Sequence, residues 1–147
     1  MREAFGLYSV DARDTWHYHG IDSSKAMIDK ARQIHINHAP GNVSFFDEDA
    51  LSCHWTKSYY RAVVSSGMLN IDQGNNLQAM SQLLKLAFTA CSRVAVVNML
   101  SVLAPHYTAG RYYYDPAKML RIALKLTPKV ELYHNYLPND FTIAMYR

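Results

Sequence analysis

Residues 17–32 read HYHGIDSSKAMIDKAR, and the division of the whole chain follows from this stretch. Residues 16–21 have the composition of a short strand, with Gly20 near its end. Over residues 25–36 the apolar positions are Met27, Ile28, Ala31 and Ile34, spaced as one stripe of a helix. Ser23 or Ser24 stands where a helix cap is needed. A strand that ends in an acid, Asp22, and passes at once into a helix is the middle of a nucleotide-binding unit. Such a unit normally follows a first strand and a glycine-rich turn. Here it is preceded by little more than MREAFGLYSVDARDT.

Working outward, HAPGN ends the helix with Pro40 and Gly41. Residues 43–46 form a second short strand before the acidic run DED. CHWTKSYY reads as a loop or a short helix. Residues 61–66, RAVVSS, form a third strand with a continuous apolar run, as in a strand covered on both faces. Residues 77–90 carry Leu77, Met80, Leu83, Leu84, Ala87 and Phe88 on one helical face. RVAVVNML is a fourth, fully apolar strand. After the excursion SVLAPHYTAGRYYYDP, Asp115 caps a helix that starts at Pro116 and runs to about residue 126. KVELYHNY and FTIAMYR are two strands joined by the turn sequence LPND. Strands alternating with helices and closing on a hairpin predict a single α/β domain over residues 1–147. Its sheet is mostly parallel, with a C-terminal antiparallel hairpin.

The composition narrows the function classes. Of 147 residues, 50% are hydrophobic and 18% charged, which argues for a packed core and against disorder. The net charge is +3 and the basic residues are scattered, so nucleic acid is not an expected partner. No apolar run reaches the roughly 18 residues of a membrane helix, and the N-terminus has no signal-peptide core. Cys53 and Cys91 form no CxxC pair, and two reduced thiols suit a cytoplasmic protein.

In open α/β sheets, ligands lie beyond the carboxyl ends of the strands, where strand order reverses. Asp22 is placed there to accept hydrogen bonds from a ribose diol, with Ser23 beside it. At the next strand end Asp49 can accept from an exocyclic amine and Ala50 can offer its N–H; Asp47 and Glu48 are rivals for the acidic role. Each acid has an ordinary alternative as a solvated loop residue or helix cap.

These residues resemble the class I S-adenosylmethionine-dependent methyltransferases. YHGIDSSKAMIDKAR is similar to that family's second strand and helix, VSFFDEDAL to its third strand and following acid, and RAVVSSGMLN to its fourth strand. The later pieces SGMLN, VNMLSVLAPHY, YYYDP and HNYLPNDFTIAMYR resemble, in the same order, one bacterial subgroup of it. The resemblance implies a Rossmann-like sheet, S-adenosylmethionine as cofactor and a small-molecule methyl acceptor. It also places Ser66 and Gly67 near the methionine part of the cofactor, and Tyr107, Tyr112, Tyr113 and Tyr114 in a segment covering the acceptor.

The family's glycine-rich turn has no counterpart except Gly6, about 20 residues or fewer before the ribose acid as the pattern expects. The expectation is therefore an N-terminally truncated methyltransferase-like domain, lacking the first strand and the glycine motif. A reading frame that begins upstream of Met1 would give the same sequence. In this fold the first strand is central, so its loss bares two rows of backbone donors and acceptors. Three repairs are conceivable: direct pairing of the second and fourth strands, a substitute strand from AFGLYSV, or cover by a partner chain. A homodimer is the expected partner arrangement. The catalytic residues are left open. Among the histidines only His106, beside Tyr107, stands out as an acid or base, and no histidine set has metal-ligand spacing. The alternative function is a non-catalytic oligomeric or interaction module derived from a methyltransferase.

Overall fold

The computed structural model describes residues 6–10, 16–35 and 42–147, the first group as backbone. In chain order the elements are β1 (Gly6–Val10), β2 (Trp16–Asp22), α1 (Lys25–His35), β3 (Val43–Asp47), β4 (Tyr60–Ser66), α2 (Asn76–Ala90), β5 (Cys91–Leu100), α3 (Pro116–Leu124), β6 (Val130–Tyr133) and β7 (Asp140–Tyr146). The strands form one sheet in the order β3-β2-β1-β4-β5-β7-β6.

β2 pairs with β3 and β4 with β5, both in parallel. β7 lies antiparallel between β5 and β6. Five strands therefore share one direction, β2 to β6, and within the expected terminal hairpin only β7 opposes it. CHWTKSYY contains no helix.

The slot between β2 and β4 is filled by β1, the second of the three conceivable repairs. Leu7 pairs with His19 on one side and Val63 on the other, and Gly6 pairs with Val64. Both ladders are antiparallel. Connectivity dictates this direction. Only residues 11–15 separate Val10 from Trp16, which are themselves a register pair. A parallel return needs a crossover of a dozen residues or more; a hairpin does not. Phe5 lies outside the described residues.

Right-handed crossovers place α1 and α2 on opposite faces, because β2→β3 and β4→β5 step in opposite directions across the sheet. α1 covers β2 and β3; α2 covers β4 and β5; α3 covers β6 and β7. The main core lies under α2 and α3. Val63, Ala95, Val97 and Met99 of the sheet meet Met80, Leu83, Leu84 and Met119 there, all fully buried. Alternate residues Ala62, Val64, Val94 and Val96 face the other way and stay half-buried. α3 is capped as expected: the Asp115 carboxylate accepts from the amides of Ala117 and Lys118, with Pro116 at the first helical position.

Gly20 is buried where β2 meets β3, and the space a side chain would need is taken by an aromatic ring. A Cβ there would lie 2.7 Å from Cδ1 of Phe45 and 3.2 Å from Cε1 of Tyr18. Gly20→Ala is expected to destabilise the fold by about 1–3 kcal/mol through overpacking, read from urea-unfolding midpoints. An unchanged midpoint would show that Phe45 moves aside freely.

Candidate functional site

The carboxyl ends of β2, β3 and β4 lie on one edge of the sheet, on either side of β1, where strand order reverses. Asp22 and Asp47 are a register pair closing β2 and β3. Because β1 runs backwards, its first residue, Gly6, lies toward this same edge, opposite Val64 near the end of β4. Gly6 is a strand residue paired with Val64 of β4, not part of a glycine-rich turn.

A first cavity of about 410 Å³ opens at this edge. Its walls bring together Asp22, Ser23, Asp49, Ala50 and Gly67, five of the residues picked out in the sequence. Of the two rivals to Asp49, Glu48 is in the wall. Ser66 ends β4, paired with Asn98 of β5, directly before Gly67.

Asp22 spends Oδ1 on the Ser24 amide at 2.7 Å, at the start of α1, so this acid is partly the helix-entry residue of its ordinary alternative. No described residue donates to Oδ2. Asp49 is more committed. Its Oδ1 accepts from the Leu51 amide at 3.0 Å and its Oδ2 from the Ser52 hydroxyl at 3.2 Å. These bonds, with the Asp49 carbonyl accepting from the amides of Ser52 and Cys53, hold a tight turn. The turn is anchored by Trp55, whose indole N–H donates to the Ala50 carbonyl at 2.8 Å. Ala50 is itself buried, and its own N–H donates to no described residue.

Gly67 has φ +67°, a conformation that side chains disfavour, and it turns the chain sharply at the end of β4. The loop that follows is held by Asn76, the first residue of α2. Its Nδ2 donates to the carbonyls of Leu69 and Ile71, at 2.9 and 2.6 Å, and its Oδ1 accepts from the Gln73 amide at 2.7 Å. Tyr114 is fully buried, and its hydroxyl donates to the Leu69 carbonyl at 2.7 Å. Burial raises the Tyr114 pKa far above its ordinary value, so the hydroxyl remains a donor. Of the four tyrosines expected over an acceptor, Tyr114 is thus core and Tyr112 packs edge-on against it. Tyr107 and Tyr113 stack with ring centroids 4.2 Å apart.

A second cavity, of about 490 Å³, adjoins the first and shares Gly67 and Arg111 with it. Asn98, His106, Tyr113 and Asp140 are in its walls. The sequence reading had singled out His106 and Tyr113 from this group. It missed Asn98, Arg111 and Asp140, which approach through long-range pairing: Ile71 bridges to Arg111, and Leu100 pairs with Asp140. Arg111 is exposed, and its guanidinium has no partner among the described residues. Among the described residues, no three His, Cys, Asp or Glu side chains cluster as metal ligands would. Nor is any described helix long and apolar enough to cross a membrane.

Comparison with known proteins agrees with this architecture. A methyltransferase-domain family model matches residues 5–87, more than half of the chain. All seven residues that the sequence reading assigns to a cofactor lie in that span. No curated protein matches the chain in sequence. Among solved structures, a possible exported protein from Bordetella parapertussis superposes with a TM-score of 0.68 at 14% identity, over 88% of this chain and 52% of that one. Magnesium protoporphyrin IX methyltransferase from Synechocystis, with SAH bound, gives 0.64 at 15% identity, over 88% and 63%. An S-adenosylmethionine-dependent methyltransferase from Mesorhizobium loti gives 0.67 at 13%, over 88% and 80%. The chain thus spans between half and two-thirds of the first two of these proteins. At such identities the likeness establishes the fold.

Because Gly67 sits at the corner of both cavities with a positive φ, Gly67→Ala is expected to cost about 1–2 kcal/mol of stability. Thermal or urea unfolding of the variant checks this, and a value within error of zero would mean that the turn relaxes.

Proposed function

The chain belongs to the methyltransferase-domain family, and on that premise we propose that its first cavity binds S-adenosylmethionine and that the protein methylates a small molecule held in the adjoining second cavity. The observation that carries this reading is the convergence of Asp22, Asp49–Ala50 and Gly67 on one cavity where strand order reverses. When bound, the cofactor supplies an electrophilic methyl group on a sulfonium.

The chain's own residues would bind and orient it. Asp22 keeps one carboxylate oxygen for a ribose hydroxyl, with Ser23 alongside. The unengaged Ala50 N–H faces the task of donating to an adenine ring nitrogen. Asp49, with both oxygens already in its turn, acts chiefly by shaping the backbone that presents that N–H. Gly67, after Ser66, lets the chain bend closely around the methionine part. Gly6 is the one glycine that the sequence pattern offers for the cofactor cradle. It stands in a strand, so the methionine carboxylate needs another partner, and Arg111 supplies an unpaired guanidinium at the junction of the two cavities. Methyl transfer demands mainly in-line approach, so placing two ligands in adjoining cavities is the principal catalytic contribution.

The second reading is a non-catalytic module that keeps the fold without the cofactor; it is favoured by the reversal of β1, whose next described element is the antiparallel strand β2 and not a helix. We also infer a homodimer, formed through the sheet face bearing Ala62, Val64, Val94 and Val96, and a cytoplasmic location, in keeping with the free thiols of Cys53 and Cys91.

Titration calorimetry with S-adenosylhomocysteine should give a micromolar Kd. Asp22→Asn and Arg111→Gln should each weaken it about tenfold or more, as loss of one charge-assisted hydrogen bond does. Absence of heat from folded protein at high concentration would overturn the enzyme reading in favour of the module. Light scattering on the same samples should report twice the mass of one chain; a monodisperse monomer would remove the dimer.

A further inference from the structure

We propose that the second cavity is built for a small protonated amine, held by the Asp140 carboxylate and the Asn98 amide oxygen. The binding claim stands on this cavity alone; naming the amine as methyl acceptor rests on the cofactor reading above.

Asp140 opens β7 and is the one carboxylate in the described wall. Its Oδ1 is buried and has no hydrogen-bond partner among the described residues. Its Oδ2 receives a single long contact, 3.4 Å from Asn98 Nδ2. A buried carboxylate oxygen left without a donor is costly, and it leaves the charge of this cavity-lining carboxylate uncompensated by the chain, for a cationic ligand to match. Arg111 stands in the same wall yet forms no ion pair with it; the ion pairs of the described residues are Lys25–Asp29 and Arg32–Asp29.

Asn98 reinforces this polarity. Its Nδ2 donates to the Tyr136 hydroxyl at 2.7 Å and toward the Phe141 carbonyl at 3.4 Å. The Tyr136 hydroxyl in turn shares a 2.6 Å hydrogen bond with the Thr142 hydroxyl. With its donor end committed to this chain, Asn98 has only its oxygen, an acceptor, left for a ligand. Two neighbouring acceptors, one of them charged, match an ammonium with its three donors. An alcohol would satisfy one acceptor and leave the charge unmatched; a carboxylate would be repelled from Asp140 and drawn instead to Arg111, at the junction of the two cavities.

Apart from Gly67 and Asn70, these walls lie outside the family-matched residues 5–87. Most of the cavity is thus supplied by the part of the chain beyond the family match. As an acceptor, the amine must first lose one proton, which the His106 imidazole in the same wall can take and pass to water. The nitrogen lone pair would then form the N–C bond as the cofactor's S–C bond breaks. The S–C bonding pair would stay on sulfur, and the product would leave as a secondary ammonium.

The test is amide-resolved NMR titration of the full chain with n-butylamine, n-butanol and butyrate at neutral pH, and separately with S-adenosylhomocysteine. The expected result is saturable shifts at Asn98, His106 and Asp140 with butylamine, at least tenfold tighter than with butanol, and none with butyrate. Asp140→Asn should weaken butylamine at least tenfold while leaving S-adenosylhomocysteine binding unchanged. Butanol binding as tightly as butylamine, butyrate binding best, or no saturable shift at these residues would each overturn the proposal. If Asp140→Asn does not fold, the three-ligand comparison on the unaltered chain decides. Loss of S-adenosylhomocysteine binding with the butylamine pattern intact would overturn the cofactor reading and leave the amine site standing.

Discussion

The structure depends on the pairing of β1 with both of its neighbours. β2 and β4 point the same way and are not hydrogen-bonded to one another. Each needs a partner along its inner edge, because buried backbone donors and acceptors must be satisfied. Gly6–Val10 meets both needs at once, with Leu7 and Tyr8 each paired on two sides. Without that strand, the half carrying Asp22 and the half carrying Gly67 would have no sheet continuity, and the first cavity would lose the alignment of its opposite walls. Strand direction matters less than occupancy: a reversed strand satisfies the same two ladders as a parallel one.

Much of this was legible in the sequence, for identifiable reasons. The helices over Lys25–His35, Asn76–Ala90 and Pro116–Leu124 carry clear apolar stripes, and the strands between them carry continuous apolar runs. Alternation of these two periods is enough to order the core. The direction of β1 was open because the residue pattern of a strand does not encode which way it runs. The deciding signal lay in spacing: too few residues lie between Val10 and Trp16 for anything but a hairpin.

The site divides along the same line. Asp22, Ser23, Asp49, Ala50 and Gly67 follow directly from strand ends, so local sequence located them. Asn98, Arg111 and Asp140 do not mark themselves in that way. Asn98 sits in an apolar strand and Arg111 in a polar excursion. Asp140 lies in the turn sequence LPND, where an acid is the expected turn residue. They meet only because β7 inserts between β5 and β6, and because the excursion returns to pair Ile71 with Arg111 and Ser101 with Tyr114.

The buried amide of Asn76 has a consequence for how ligands are received. By tying the carbonyls of Leu69 and Ile71 and the amide of Gln73 to the first turn of α2, it orders one wall of the first cavity before any ligand arrives. Conformational freedom in that loop is surrendered during folding, not during association. Ligands then encounter a surface whose shape is already set, and more of the contact energy remains as affinity. A side chain that touches no ligand can in this way govern the entropy of binding.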